Sequence, residues 1–294
     1  MRIIYSQRYE LDLGGHVWPT AKYRLIAERL QGSGRVAADG FDAPRCCTWD
    51  DLALVHSEEY LGKVRVLELS DEEIRTLELP LSRTLVEGFR LMVGGTVAAA
   101  EFALDDGRAA HLGGGLHHAF PGHGEGFCLF NDVAVAVRRA QQGRRITRAA
   151  IVDCDVHHGN GTAVVFDRDP SVFTFSIHQQ HIYPVFKPRS TLDIGLDDGA
   201  TDGQYLERLR PALERVIESK PELIFYLAGA DPFHGDRLGG LALTHDGLRA
   251  RDREVCSAAA RAGVPLVVVL AGGYAADIED TVRAHVNTIE ELLG

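Results

Sequence analysis

Residues 149–162 read AAIVDCDVHHGNGT, and this stretch decides the fold prediction. It begins with small and β-branched apolar residues, changes abruptly to aspartates and histidines, and ends in glycines. A parallel strand that is covered on both faces is a continuous apolar run, and ligands bind at the carboxyl ends of such strands. The stretch therefore predicts a central strand whose carboxyl end carries a functional site.

The same strand and helix patterns alternate along the rest of the chain. Buried strands are indicated by short apolar runs at residues 108–114, 171–178, 222–231 and 265–273, and helices by amphipathic stretches at 130–142 and 278–293. The opening MRIIYSQRYE is interpreted as a further strand. The pattern predicts a single α/β domain over residues 1–294, with a mainly parallel central sheet and helices on both faces.

Residues 179–203 interrupt this alternation. They contain Pro184 and Pro188 and show no strong period. Because they lie between two predicted strands, they are interpreted as a long loop that shapes the rim of a pocket.

Composition and charge exclude several classes of function. The formal net charge of -11 disfavours nucleic acid and anionic membranes as partners, and the start of the chain lacks the pattern of a signal peptide. Five cysteines form neither a disulfide framework nor a zinc-finger spacing. We therefore expect a cytoplasmic protein with reduced cysteines.

Two aspartates and a histidine follow the central strand at alternate positions. In an extended strand, Asp153, Asp155 and His157 share one face, while Cys154 points into the packing. Asp231 ends another apolar run and adds a carboxylate at the same sheet edge. Crowded buried carboxylates require a cation, and two carboxylates with one imidazole leave an open position, as in catalytic zinc sites.

Four motifs at these strand ends resemble the signatures of zinc-dependent histone deacetylases and their prokaryotic relatives. They are GGGLHHAFPGHGEGFCLFNDVAVA (113–136), DCDVHHGNGT (153–162), GAD with the following GDRLGGLALT (229–231 and 235–244), and AGGY (271–274). HVWPTAKYRLI, residues 16–26, resembles the class IV branch. The resemblance implies the arginase/deacetylase fold and the hydrolysis of acyl-lysine amides.

The resemblance also implies a role for each matching residue. Asp155, His157 and Asp231 match the ligands of one zinc ion, for which iron(II) is an alternative. His117 and His118 match the tandem histidines, with His118 as the principal base and His117 as its electrostatic partner, and Tyr274 matches the tyrosine that binds the substrate carbonyl. The residues that match a structural potassium site are Asp153, Asp155, His157 and Ser176.

Other matching residues concern the orientation of the histidines and the substrate. Asp153 matches the aspartate behind the first tandem histidine, whereas Asn160 stands where some branches place an aspartate behind the second. The walls of the acyl-lysine tunnel match Gly126, Phe127 and Leu238. A glutamate at the position of Leu238 would favour acetylpolyamines, and the family's rim aspartate has no convincing match.

Several alternatives remain open at this level. The substrate is an acylated lysine peptide or a small acylated amine such as an acetylpolyamine, and the acyl length and oligomeric state are undetermined. A ureohydrolase-like enzyme with two manganese ions needs more bridging carboxylates than follow Asp231. A non-catalytic acyl-ligand binding module would more often have lost one of the matching residues. A cysteine hydrolase that uses Cys128 or Cys154 is disfavoured, because both are expected to be buried.

Overall fold

The computed structural model describes residues 1–294 and contains eight strands. The strands are β1 (Arg2–Ile4), β2 (Phe41–Asp42), β3 (Arg108–His111), β4 (Ala149–Asp153), β5 (Val172–Gln179), β6 (Leu192–Leu196), β7 (Leu223–Leu227) and β8 (Leu266–Val269). They form one sheet in the order β2-β1-β3-β8-β7-β4-β5-β6. Every neighbouring pair is parallel, so the predicted parallel sheet is confirmed.

Ten helices connect and cover the strands, together with a short 3-10 helix at Gln7–Tyr9. They are α1 (Lys22–Gly32), α2 (Trp49–Leu52), α3 (Glu58–Val66), α4 (Asp71–Leu77), α5 (Arg83–Asp106), α6 (Asp132–Gln142), α7 (Asn160–Val165), α8 (Asp202–Glu218), α9 (His245–Ala262) and α10 (Ile278–Leu293). None of them combines the length and the apolar character that a membrane crossing requires.

Side chains of the central strands alternate between two cores, one on each face of the sheet. In β4, Ala150 and Val152 join the core against α8, α9 and α10, whereas Ala149 and Ile151 join the core beneath α5 and α6. All five residues of this strand are buried. Because both faces are covered, the strand is apolar at every position up to Asp153, as its sequence indicates.

The segment 179–203 is not wholly a loop, and in this respect the prediction is wrong. It contains β6, which pairs with β5 at the edge of the sheet. Ile194 and Leu196 are buried, whereas Asp193 and Gly195, which alternate with them, are exposed. An edge strand covered on one face alternates in this way, and the two prolines before it obscure so short a pattern.

Candidate active site

The carboxyl ends of β3, β4, β7 and β8 meet at one edge of the sheet, and the polar residues lie on the loops that follow them. β4 ends at Asp153, so Asp155 and His157 are not in an extended strand, and the prediction that a strand aligns their side chains is wrong. The chain bends after Asp153 instead. This bend still brings both side chains to Asp231, which follows β7.

Asp155, His157 and Asp231 form a compact buried cluster, with one ligand atom of each within 4.8 Å of the others. The Nδ1 atom of His157 lies 3.1 Å from Oδ1 of Asp155 and 3.3 Å from Oδ2 of Asp231. Burial, together with the adjacent Asp155 carboxylate, raises the pKa of Asp231 to about 7. Burial alone would lower the pKa of His157, but Asp155 and Asp231 outweigh it and raise the pKa to about 10. Two ionised carboxylates in this position therefore need a positive charge, which is either the protonated ring of His157 or a metal ion bound by all three side chains.

Backbone N–H groups hold the two carboxylates in place. Val156 donates to Oδ1 of Asp231 at 2.9 Å, and Gly272 donates to Oδ2 of Asp155 at 2.9 Å. A Cβ atom on Gly272 would lie only 2.2 Å from Oδ2 of Asp231, so glycine is required there. Oδ2 of Asp231 is buried and accepts no hydrogen bond. This unused oxygen, with the carboxylate and imidazole next to it, suits a divalent metal such as zinc.

The tandem histidines lie beside this cluster, and different groups support their rings. Nδ1 of His117 is 2.7 Å from Oδ2 of Asp153, and Nδ1 of His118 is 2.6 Å from Oδ1 of Asn160. Burial alone would lower the pKa of His117, but the carboxylates of Asp153 and Asp155 outweigh it and raise the pKa to about 9. Burial and the neighbouring histidines His117 and His157 hold the pKa of His118 well below its usual value.

A cavity of about 250 Å³ leads from the surface to the cluster. The predicted substrate residues Gly126, Phe127 and Leu238 all line it, as do both tandem histidines, Asp155, His157 and Tyr274. The ring of Tyr274 packs edge-on against Phe127, with the centroids 6.0 Å apart. Burial, reinforced by the charges of Asp155 and Asp231, holds the pKa of the Tyr274 phenol well above its usual value, so the phenol remains a hydrogen-bond donor at neutral pH.

Asp153, Asn160, Asp231 and Ser176 do not line the cavity but lie behind it, and all four are buried. Ser176 pairs with Asp153 in the β4–β5 register, so the structure brings these two predicted cation-site residues together. The hydroxyl of Ser176 is 3.0 Å from Nδ1 of His178.

Two residues of the site, Lys22 and Glu78, were not found from the sequence. Lys22 is fully buried at the start of α1, and its Nζ donates to the carbonyl of Ala271 at 2.8 Å. Burial lowers the pKa of Lys22 to about 8, although Asp231 opposes the shift. Glu78 and Tyr183 line the cavity from two separate loops. A lysine or glutamate at a helix end resembles an ordinary surface residue, so no local signal distinguishes Lys22 or Glu78.

A second cluster of metal-binding residue types comprises His158, His178 and Asp193. Its side chains are held by hydrogen bonds, although Nδ1 of His158 is buried without a partner. Asp193 accepts hydrogen bonds from Nε2 of His158 at 3.1 Å and from the backbone N–H of Ser190 at 2.8 Å. These bonds fix the edge strand β6 to the loop after β4.

Comparison with known proteins identifies the family of the chain. Residues 16–289 match the family model described as the histone deacetylase domain. The chain belongs to the histone deacetylase family. It is 43% identical to an uncharacterised protein of Picosynechococcus sp. over 92% of this chain and 90% of that one. It is 32% identical to histone deacetylase 2 of Arabidopsis thaliana over 99% of this chain and 78% of the relative.

A solved structure of the same fold is the crystal structure of the HDA15 HD domain. It superposes with a TM-score of 0.81 at 24% identity and covers 100% of this chain and 91% of the other. At this identity the likeness concerns the fold alone. Family membership, in contrast, makes the chain a hydrolase of the deacetylase type, so the resemblance deduced from the four motifs is confirmed.

Proposed function

We propose that the chain is a zinc-dependent lysine deacylase that removes acetyl or longer acyl groups from lysine side chains. The observation that carries this proposal is the convergence of Asp155, His157 and Asp231 at the end of a cavity lined by both tandem histidines and Tyr274. Asp155, His157 and Asp231 would hold one ion, with iron(II) as an alternative metal. When bound, zinc supplies a Lewis acid that would polarise the amide carbonyl. It would also lower the pKa of water, so that water can lose a proton and act as a nucleophile near neutral pH.

The two histidines divide the proton transfers according to their surroundings. His118 is held neutral by burial and by the protonated His117 beside it, so its free nitrogen can accept the proton of the attacking water. His117 is held protonated by Asp153 and Asp155, so it acts as the electrostatic partner. Asn160 and Asp153 orient the two rings from behind.

Tyr274 stabilises the oxyanion that forms from the substrate carbonyl. Its phenol keeps its proton because burial and two carboxylates raise its pKa. Its backbone N–H donates to Asp236 at 2.7 Å, which fixes the turn that carries the ring. A preorganised donor of this kind is worth about 10²–10³ in kcat in other hydrolases.

A structural potassium ion at Asp153, Asp155, His157 and Ser176 is also part of the proposal. The pairing of Asp153 with Ser176 across β4 and β5 supports it. Five unpaired cysteines support a reducing compartment, and we propose a cytoplasmic location.

The cavity favours an apolar acyl-amine stem as substrate. Phe127, Leu238 and Trp18 contribute apolar surface to its walls. Val185 and Phe186 are 98% and 78% exposed, and they follow shortly after Tyr183, which lines the cavity. These features suit the hydrocarbon part of an acyl-lysine.

One observation favours a second candidate, a deacetylase of acetylpolyamines or other small acylated amines. Glu78 places a carboxylate in the cavity lining, where it could attract a cationic chain. Because a peptide substrate does not need this charge, Glu78→Gln should weaken hydrolysis of acetylpolyamines at least tenfold if they are the substrate. Acetyl-lysine peptides without a nearby cation should be hydrolysed at an unchanged rate by the same variant.

A hydrolysis screen with the zinc-loaded protein tests the proposed function. The panel contains lysine peptides with acetyl, butyryl, octanoyl and myristoyl groups, and acetylated polyamines. Turnover of at least one lysine peptide, with acyl length read from kcat/KM, supports the deacylase. Inertness towards the entire panel, combined with tight binding of a hydroxamate, would favour the non-catalytic binding module instead.

A further inference from the structure

Glu125 occupies a tight turn directly against the tandem histidines, and none of the roles above uses it. Glu125 and Cys128 exchange two backbone hydrogen bonds of 3.1 and 2.9 Å, and Gly126 and Phe127 between them have φ values of 52° and 66°. The turn is also fixed to the end of α4, because the N–H of Phe127 donates to the carbonyl of Leu77 at 3.0 Å. The carboxylate of Glu125 is therefore held by a rigid backbone.

The carboxylate of Glu125 is connected to His118 through one amide. Its Oε1 atom accepts a hydrogen bond of 2.8 Å from Nδ2 of Asn160, whose Oδ1 lies 2.6 Å from Nδ1 of His118. The same Oε1 accepts a 2.6 Å hydrogen bond from the hydroxyl of Tyr183. Oε2 lies 3.2 Å from Nε2 of His123, and the side chain of Glu125 is only 18% exposed.

This chain of hydrogen bonds determines which nitrogen of His118 carries its proton. An ionised carboxylate only accepts hydrogen bonds, so the amide of Asn160 must turn its NH₂ group towards Glu125. Its oxygen then faces Nδ1 of His118, and an amide oxygen also only accepts, so Nδ1 must be protonated. The lone pair is consequently on Nε2, the nitrogen that remains free to act as the base.

Glu125 is ionised in this position. Burial alone would raise the pKa of Glu125, but hydrogen bonds from His123, Tyr183 and Asn160 outweigh it and lower the pKa. The N–H of Gly161 also donates to Oδ1 of Asn160 at 3.0 Å and favours the same amide orientation. Asn160 is thus held at both ends of its amide, by a backbone donor at the oxygen and by Glu125 at the nitrogen.

We propose that Glu125 is a positioning residue of the hydrolysis, which holds the amide of Asn160 so that His118 keeps its proton on Nδ1 and presents Nε2 as the base. It thereby takes over the orienting function of the carboxylate that this chain lacks at position 160. The inference rests on the proposed function for its effect on turnover, but the hydrogen-bond chain exists independently of the substrate.

The test compares three single variants of the zinc-loaded protein by ¹⁵N NMR of the histidine rings and by steady-state kinetics. Glu125→Leu removes the acceptor, and we expect His118 to lose its single Nδ1-protonated form and kcat to fall at least tenfold, with KM changed less than threefold. Glu125→Gln keeps an acceptor oxygen, so both readouts should stay close to wild type. His123→Gln is the matched control, because it touches the same carboxylate at Oε2, away from Asn160.

A double variant makes the test independent of folding defects in Glu125→Leu. Asn160→Asp places two carboxylates at the 2.8 Å contact, so it should reduce kcat at least tenfold. Adding Glu125→Gln to Asn160→Asp restores a donor opposite the new carboxylate, and kcat should recover by at least fivefold.

The proposal is overturned if His118 keeps a single Nδ1-protonated ring in Glu125→Leu, or if Glu125→Gln fails to rescue Asn160→Asp. A wild-type protein that hydrolyses no acyl amide but shows the expected ring protonation in all variants would refute the proposed function and leave the positioning role intact.

Discussion

Two adjacent imidazoles, His117 and His118, have pKa values shifted in opposite directions because different groups stand behind them. His117 faces the carboxylate of Asp153, whereas His118 faces the amide of Asn160, which donates a hydrogen bond to Glu125. A carboxylate favours the protonated ring and an amide does not, so neighbouring positions of one loop acquire opposite protonation states at neutral pH. The proposed division of roles between the pair therefore depends on Asp153 at the end of β4 and on Asn160 at the start of α7.

The proposed base role of His118 leads to a prediction at the residue scale. Removing a general base typically costs about 10²–10⁴ in rate, so we expect His118→Ala to lower kcat by about that factor. The variant should bind as much zinc as the wild type, since Nδ1 of His118 bonds to Asn160 and His118 is not one of the three clustered ligands. Kinetics together with metal analysis checks both parts. A rate within tenfold of wild type in the zinc-loaded variant would contradict the assignment.

Sequence reasoning found the residues with a local signature and missed those without one. Asp155 and His157 follow an apolar strand and lie two residues apart, so the motif alone predicts that they share a site. Lys22, Glu78 and Glu125 reach the site from other segments, and only the packing of α1, α4 and the 125–128 turn brings them there. Contacts between residues so far apart in the sequence cannot be predicted from a single polar residue.

At the scale of elements, helix α5 and the segment 45–47 approach each other so closely that their backbones are in contact. Gly94 lies within α5, and a Cβ atom there would be 1.8 Å from the carbonyl oxygen of Arg45. The neighbouring segment is held against α5, because Cys47 donates its N–H to the carbonyl of Arg90 at 3.0 Å. Helix α5 and this segment therefore pack with no space between their backbones.

Because Gly94 makes this contact and Gly62 makes none, replacing each glycine by alanine should have opposite effects on stability. Gly94→Ala should lower the free energy of unfolding by about 1–3 kcal/mol or more, since the backbones must separate. Gly62→Ala, in α3, has no atom within 4 Å of its new Cβ and should raise it by up to about 1 kcal/mol through helix propensity. Urea denaturation of both variants measures the difference. Equal effects of the two substitutions would show that the contact at Gly94 is not tight.

The type of each central element could be predicted, but some boundaries could not. Runs such as 222–231 and 265–273 are apolar on both faces, so the strands β7 and β8 followed directly. β6 was missed because an edge strand of five residues needs only two buried side chains, Ile194 and Leu196. The bend after Asp153 was missed because the residues that form it, 155–157, also fit the alternation expected of a strand.

At the scale of the whole molecule, buried neutral histidines connect distant segments and make stability depend on pH. His56 donates from Nδ1 to the carbonyl of Phe120 at 2.9 Å and accepts at Nε2 from the N–H of Asn131 at 3.0 Å. Burial lowers the pKa of His56 from 6.5 to about 4. Between these values the unfolded chain binds a proton that the folded chain does not.

Stability should therefore fall as the pH decreases from about 6.5 towards 4. The contribution of His56 alone is up to about 3 kcal/mol at the lower limit, and above pH 6.5 it vanishes. We expect the free energy of unfolding of wild type to decrease more steeply in this range than that of His56→Gln, whatever the stability of the variant at pH 7. Parallel pH profiles of the two proteins would show that protonation of His56 is not the cause of the acid sensitivity.

Metal content of Asp231→Asn tests the account most directly, because the proposed function depends on one divalent ion held by Asp155, His157 and Asp231. The purified wild-type protein should bind one zinc ion per chain and hydrolyse an acyl-lysine peptide. The isosteric variant should lose both properties while it remains folded, as it leaves one carboxylate and one imidazole at the cluster. Two ions per wild-type chain, or a full zinc complement in Asp231→Asn, would contradict the proposed metal centre.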